Sequence, residues 1–209
     1  MPSSRGLDRL VTFADAVVAI AITLLVLPLV DIAGNVGDVP VGSLLNDHLG
    51  QLGAFALSFV VIARLWVSHH RIFDDVGAYD VLLVRLTLLW LFTVVFLPFP
   101  TALLAERGSH AASVLYVGTL LASSLTLAAT AAWIEGHPGL QRGEAAVARS
   151  PGSIWVTPAL LGIAFLVTAL VPRASVWPLL LLFATGPIEA ALHRRSAVAA
   201  RPVPADADE

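Results

Sequence analysis

The stretch from Arg9 to Pro28, RLVTFADAVVAIAITLLVLP, decides the fold class of this chain. About 20 residues at roughly 1.5 Å of helical rise each cover the roughly 30 Å hydrocarbon layer of a bilayer, so the run predicts a membrane-spanning helix. It contains Asp15, and a carboxylate inside a membrane is costly enough to indicate a function or a specific partner. Residues spaced three and four apart share one side of this helix, and they are Phe13, Ala16, Ile20, Thr23, Leu24 and Leu27.

The composition of the whole chain is that of a membrane protein. Of its 209 residues, 57% are hydrophobic and 13% are charged, whereas an average soluble domain has about 25% charged residues. There is no cysteine, which excludes a disulfide framework and a thiolate metal site. All 12 basic residues are arginine, and the net charge of -3 does not indicate a nucleic-acid partner. We expect a polytopic membrane protein that is not an enzyme.

Apolar runs separated by polar connections predict an all-α fold with six transmembrane helices in one domain, residues 1–193. Pro98 and Pro100 should kink or end the third helix, because proline lacks a backbone donor. Ten of the 12 arginines fall on or toward the side of the termini, which predicts cytoplasmic N and C termini and a cell (inner or plasma) membrane location. The predicted helices cover about residues 9–30, 50–69, 81–105, 111–134, 153–171 and 176–193, and residues 194–209 are predicted to be a disordered cytoplasmic tail.

The first helix resembles a known family of channels. Arg9, Phe13 and Asp15 match Arg-x-x-x-Phe-Ser-Asp, the signature that opens the first helix of the endolysosomal-type potassium channels, with Ala14 where the family usually has Ser. The resemblance implies a bacterial-type six-helix subunit that assembles as a homotetramer in the lipid bilayer and conducts potassium. The likeness continues through residues 19–27, is fainter at residues 97–101, and includes Trp66, His69, His70, Arg71 and Phe73.

The resemblance also assigns roles to the stripe on the first helix. Ile20, Leu24 and Leu27 match positions at which bacterial relatives line the pore with aliphatic layers, and four copies of such a ring form an apolar neck that can gate by dewetting. Without the resemblance, such a stripe more often faces lipid or other helices. Thr23 would add a ring of hydroxyls that replaces part of the hydration shell of potassium. Its alternative is a hydroxyl bonded back to its own helix. The chain has no carbonyl filter of the Thr-Val-Gly-Tyr-Gly kind.

Charged and aromatic residues form a second candidate group. Asp15 requires a partner on another helix, and we expect an arginine or histidine because buried charges pair to lower their desolvation cost. Arg85 is one candidate, and Trp66 also lies near a helix end, as interface anchors do. A role of the histidines in gating or proton sensing is the alternative. The predicted packing network, which would hold the first helix in register, consists of Arg9, Phe13, Asp15, Arg64, Trp66, His69 and His70.

Other function classes receive less support from the sequence. His69 and His70 diverge by about 100° on a helix and have no well-spaced third ligand, so we expect no metal site. We expect no cofactor, with potassium and other monovalent cations as permeant species only. The alternative function is a secondary or proton-coupled transporter that uses Asp15, His69 and His70, although the sequence shows no inverted repeat. A structural membrane protein without flux of its own is a third class.

Overall fold

The computed structural model describes residues 4–34, 40–142 and 153–171. The regular secondary structure of the described part is helical, with one isolated antiparallel bridge between Val76 and Gln141 in the connections. The predicted sixth helix and the predicted tail lie outside the described residues. The α-helices are α1 (Ser4–Leu24), α2 (Leu27–Gly34), α3 (Val41–Asp47), α4 (Leu49–Phe73), α5 (Val81–Phe96), α6 (Pro98–Arg107), α7 (His110–Glu135) and α8 (Ser153–Leu170), with a 3-10 turn at Pro138–Leu140.

Four helical segments among the described residues are long and apolar enough to cross a membrane: Arg5–Ile32, Leu49–Phe73, Val81–Glu106 and His110–Glu135. The shorter apolar helix Ile154–Leu170 follows them. The all-α membrane fold predicted from the sequence is therefore confirmed. The first span begins at Arg5, before the predicted start at residue 9. The second span ends at Phe73, after the predicted end at residue 69.

Prolines divide two of these spans into separate helices. Pro98 has no N–H, and at the break between α5 and α6 the Leu97 N–H donates to the Val94 carbonyl at 3.2 Å, in a tightened turn. A second break, before Pro28, corrects the prediction of one continuous helix over residues 9–30. Pro28 cannot donate to the Leu24 carbonyl, and the Leu25 N–H donates instead to Ile22, at 3.2 Å.

The spans run up and down, so that their ends meet at two ends of the bundle. We call the end where α1 begins the proximal end, and the opposite end the distal end. At the proximal end, Leu7, Phe73, Val76, Leu83 and Ile134 form one buried cluster from α1, α4, α5, α7 and a connection. By the arginine count, the proximal end is the predicted cytoplasmic end.

Asp80 joins two helix ends at the proximal end. Its carboxylate accepts the Leu83 N–H at 2.7 Å, which caps the start of α5, and the Trp133 indole N–H at 3.0 Å, near the end of α7. An N-cap side chain satisfies a backbone donor that the helix leaves unpaired. The Leu83 N–H, helped by the Trp133 indole, holds the pKa of Asp80 below its usual value.

The helices are covered to very different degrees. The span formed by α7 lies at the centre, with 61% of its apolar window buried, whereas the span that contains α1 has 22% buried. The most apolar span is thus the least covered by the described subunit. Such a surface has to face lipid or another protein.

Candidate functional site

α1 has one buried face and one exposed face. The buried face contains Ala14 and Ala21, both 0% exposed, with Val18 and Leu25 in the same core cluster. Small residues there allow α1 to approach its neighbours closely. Ala14 is the residue that replaces the Ser of the family signature. Because it is on the buried face, this position lies inside the subunit.

The exposed face is the stripe that the sequence analysis selected. Ile20 is 59% exposed, Leu24 is 38% exposed, and Leu27, at the start of α2, is 53% exposed. Phe13 is also exposed at 51%, and Arg9 lies one turn before it on the same side. An uncovered stripe of large apolar side chains therefore runs along the first span.

Thr23 lies on this exposed face, and its hydroxyl donates to the Ile20 carbonyl at 2.8 Å. This is the hydroxyl bonded back to its own helix, the alternative geometry expected for Thr23. A hydroxyl has one donor and two acceptor lone pairs, so the bond uses its hydrogen and leaves the lone pairs of Oγ1 available. The geometry of Thr23 is consequently compatible with a contact between its oxygen and a cation.

Asp15 accepts a hydrogen bond from an aromatic donor, whereas the sequence predicted an arginine or histidine partner. The Trp66 indole N–H donates to Asp15 Oδ1 at 2.8 Å, which ties α1 to α4. The hydrogen-bond donor therefore differs from the predicted one, although His69 lies close enough to Asp15 for an electrostatic interaction. The bond gives Trp66 a more specific role than an interface anchor. A hydrogen bond to a charged acceptor is about twice as strong as a neutral one, so the pair fixes the register between the two helices.

His70 and His69 occupy different environments, although they are adjacent in sequence. The His70 ring stacks on Trp66, with centroids 5.5 Å apart, and its Nε2 lies 3.8 Å from Asp74 Oδ1. His69 is 1% exposed and is stacked between Trp90 and Phe73, with centroids 4.3 and 4.4 Å away. Neither ring nitrogen of His69 has a hydrogen-bond partner in the described part of the chain. His69 therefore packs as a flat ring between α4 and α5.

The residues of the predicted packing network lie in three separate places in the structure. Asp15, Trp66, His69 and His70 lie together near the proximal end, where α1, α4 and α5 meet. Arg9 and Phe13 lie on the exposed face of α1. Arg64 follows the other side of α4, about 200° from Trp66, and lines a cavity beside α7 and α8.

Sequence reasoning missed Trp90, the second aromatic wall of the His69 site. Trp90 is 1% exposed in the middle of α5. A tryptophan within a uniformly apolar run carries no signal of its own. Only the packing of α5 against α4 reveals which aromatic ring it contacts.

The fold and this site together define a helical membrane protein whose first span is anchored on one face and uncovered on the other. Residues 9–98 match the family described as endosomal/lysosomal potassium channel TMEM175. The crystal structure of a lysosomal potassium-selective channel TMEM175 homolog from Chamaesiphon minutus is similar, with a TM-score of 0.69, 30% sequence identity, and coverage of 88% of this chain and 98% of that chain. The chain belongs to the TMEM175 family.

Two curated relatives are similar at the level of sequence. A potassium channel of Streptomyces collinus is 40% identical over 132 residues, which are 60% of this chain and 62% of that protein. A potassium channel of Chamaesiphon minutus is 44% identical over 133 residues, which are 59% of this chain and 64% of that protein. The matched region thus spans somewhat less than two thirds of the length of these relatives.

Proposed function

We propose that this chain is the subunit of a homotetrameric, potassium-permeable cation channel of the cell membrane. Its pore would be apolar, lined by the first span of each copy, and would lack a carbonyl selectivity filter. Membership of the TMEM175 family supports the proposal, as does the naming of both curated relatives as potassium channels. Permeation requires no covalent chemistry, so the proposed protein is not an enzyme and needs no cofactor.

The single observation that carries the proposal is the exposed face of α1. One copy of a helix cannot enclose a pore, but cyclic symmetry brings the same face of several copies around one axis. Ile20, Leu24 and Leu27 would then form successive apolar rings. Water and ions occupy a narrow apolar neck poorly, and such a neck can close by dewetting.

Thr23 is the proposed selectivity position. It follows Ile20 by three residues on the same side, so its oxygen would lie beside the apolar rings. Because its hydrogen is directed to the Ile20 carbonyl, the lone pairs can replace part of the hydration shell of a cation. Discrimination would depend on side chains and pore width, and we expect it to be weaker than in channels with a carbonyl filter.

The proposal is tested by potassium and sodium flux through the purified protein in liposomes. Potassium flux should exceed sodium flux, and Leu24→Ala should raise total flux severalfold and reduce the discrimination, because a smaller side chain widens the neck. Leu89→Ala is the matched control, since Leu89 is a 53% exposed leucine on α5, away from the stripe.

Two results would count against this function. Equal effects of Leu24→Ala and Leu89→Ala would show that the stripe does not line the conduction path. Saturable flux that depends on a proton gradient, from a monomer or dimer, would favour the transporter that uses Asp15, His69 and His70.

A further inference from the structure

A second feature of the molecule lies away from the exposed face of α1. A cavity of about 480 Å³ opens at the proximal end between α4, α7 and α8. Apolar side chains form much of its lining, with Val61 and Leu65 from α4, Leu120 and Leu127 from α7, and Leu161 from α8. A cavity with such walls beside membrane-spanning helices is suited to a hydrocarbon chain.

The cavity is also lined by charged residues, with arginines within α4 and aspartates directly after it. Arg64, Ser68 and Arg71 recur at spacings of four and three residues and share one face of the helix, and all three line the cavity. Asp74 and Asp75, which directly follow Phe73, the last residue of α4, also line it. Along the chain toward the proximal end, the cationic side chains therefore precede the anionic ones, with apolar residues between them.

This order matches one kind of membrane molecule. In a glycerophospholipid with a phosphoethanolamine headgroup, acyl chains are followed by a phosphate and then by an ammonium group. Arginine binds phosphate through a fork of donors, and its five N–H groups allow it to keep contacts with neighbouring side chains at the same time. Carboxylates at the outer end are complementary to an ammonium group. The two kinds of charge are also close along the chain, because Arg71 lies in the last turn of α4 and Asp74 and Asp75 directly follow the helix end at Phe73.

We propose that the cavity between α4, α7 and α8 binds a glycerophospholipid with a phosphoethanolamine headgroup, its phosphate at Arg64 and Arg71 and its ammonium at Asp74 and Asp75. The two carboxylates oppose a lipid with a net negative headgroup, because they place like charge beside its outer end. By the arginine count, the occupant comes from the cytoplasmic leaflet. This site is separate from the proposed pore and does not depend on the channel function.

Native mass spectrometry of the full chain in detergent tests this proposal. The protein is mixed with equal amounts of phosphatidylethanolamine and phosphatidylglycerol that have the same acyl chains. We expect phosphatidylethanolamine to be the retained lipid. Arg71→Gln should lower its apparent affinity about tenfold, which is the effect of losing a charge-assisted contact. Arg85→Gln is the matched control, because Arg85 is an exposed arginine of α5 that does not line the cavity, and it should change nothing.

Two further variants separate charge from volume. Asp74→Asn combined with Asp75→Asn leaves the arginines without the carboxylates, and we expect the preference to turn toward phosphatidylglycerol. Ala128→Leu fills the cavity without changing its charge, since Ala128 lies on the α7 wall at 3% exposure, and it should reduce retention of both lipids. A preference for phosphatidylglycerol in the unmodified chain, or retention unchanged by Arg71→Gln and Ala128→Leu alike, would overturn the proposal. Displacement of the lipid by millimolar inorganic phosphate would assign the site to a free anion instead.

Discussion

The hydrogen bond from the Trp66 indole to the Asp15 carboxylate is partly buried. Hydrogen bonds to carboxylates are stronger than those between neutral groups. At 2.8 Å the Trp66 bond gives the signature carboxylate a hydrogen-bond partner, and it joins the first span to α4. Removing the donor while keeping the aromatic ring leaves the carboxylate without that bond in a partly buried position. The cost of such a loss exceeds the net value of the bond itself.

We therefore predict that Trp66→Phe lowers the free energy of unfolding by about 1.5–3 kcal/mol. Denaturant unfolding in detergent, followed by circular dichroism, measures the change. Trp155→Phe serves as the control because Trp155 is 50% exposed at the start of α8, and its replacement should cost no more than about 0.5 kcal/mol. Similar costs for the two variants would show that the Asp15 contact does not stabilise the subunit.

His69 has two alternative roles, as a packing residue or as a proton sensor. The ring is buried between Trp90 and Phe73, and its nitrogens have no hydrogen-bond partner among the described residues. Replacing a buried polar group without partners by an apolar group of the same shape is close to neutral or stabilising.

We accordingly predict that His69→Phe keeps or raises the melting temperature and leaves potassium flux intact across pH. His69→Ala should instead cost about 2–4 kcal/mol, by analogy with other losses of large buried rings. Both changes are read by thermal unfolding and by liposome flux at several pH values. Loss of a pH response in His69→Phe, with the fold intact, would assign proton sensing to this residue.

A chain of hydroxyl groups joins three helices, α4, α6 and α7, at the distal end. Ser58 Oγ lies 2.8 Å from Thr101 Oγ1 and 3.0 Å from the Tyr116 hydroxyl, and Thr101 also donates to the Leu97 carbonyl at 2.8 Å. Each hydroxyl has a single hydrogen. Thr101 therefore uses its hydrogen on Leu97, Ser58 donates to Thr101, and Tyr116 donates to Ser58.

This direction of donation predicts an order of costs. Ser58→Ala removes the middle of the chain and leaves the buried Tyr116 hydroxyl without an acceptor, which should cost about 1–3 kcal/mol. Tyr116→Phe removes only the outermost donor and should cost less, about 0.5–1.5 kcal/mol. Unfolding measurements on both variants test the order, with Ser124→Ala as the control, because the Ser124 hydroxyl donates to Leu121 within its own helix. A larger cost for Tyr116→Phe would contradict the assigned direction.

The same elements show what the sequence could and could not predict. The break at Pro98 was predictable, because a missing backbone donor is a local property of the residue. The break before Pro28 has the same cause, but the apolar run continues across it and conceals it. The pairing of Asp15 with Trp66 depends on how α1 is placed against α4, and spacing within one helix carries no information about the neighbouring helix. The expectation that charges pair predicted an arginine or histidine beside Asp15, whereas the hydrogen-bond donor in the structure is the Trp66 indole.

In the subunit as a whole, one face of α1 packs against neighbouring helices and the opposite face is exposed. Asp15 and the buried alanines Ala14 and Ala21 fix α1 to its own bundle. Ile20 and Leu24 extend from the opposite face. A subunit built in this way presents the same apolar strip in every copy, which is the requirement for a closed ring around a common axis.

The number of copies that share one pore can be counted from block by a thiol reagent. The chain has no cysteine, so a bulky membrane-impermeant thiol reagent reacts only with an introduced residue, and it should block the flux of Leu24→Cys. In liposomes made from equal amounts of this variant and the unmodified chain, assembled before reaction, random tetramers with one shared pore retain about 6% of the flux, since all four positions must be unmodified. Dimers would retain about 25% and independent subunits about 50% by the same count. The mixture with Leu89→Cys should keep its full flux, because that position lies off the stripe. Flux near half in the Leu24→Cys mixture would mean that each copy conducts alone, and a pore enclosed by the first spans of four copies would then be wrong.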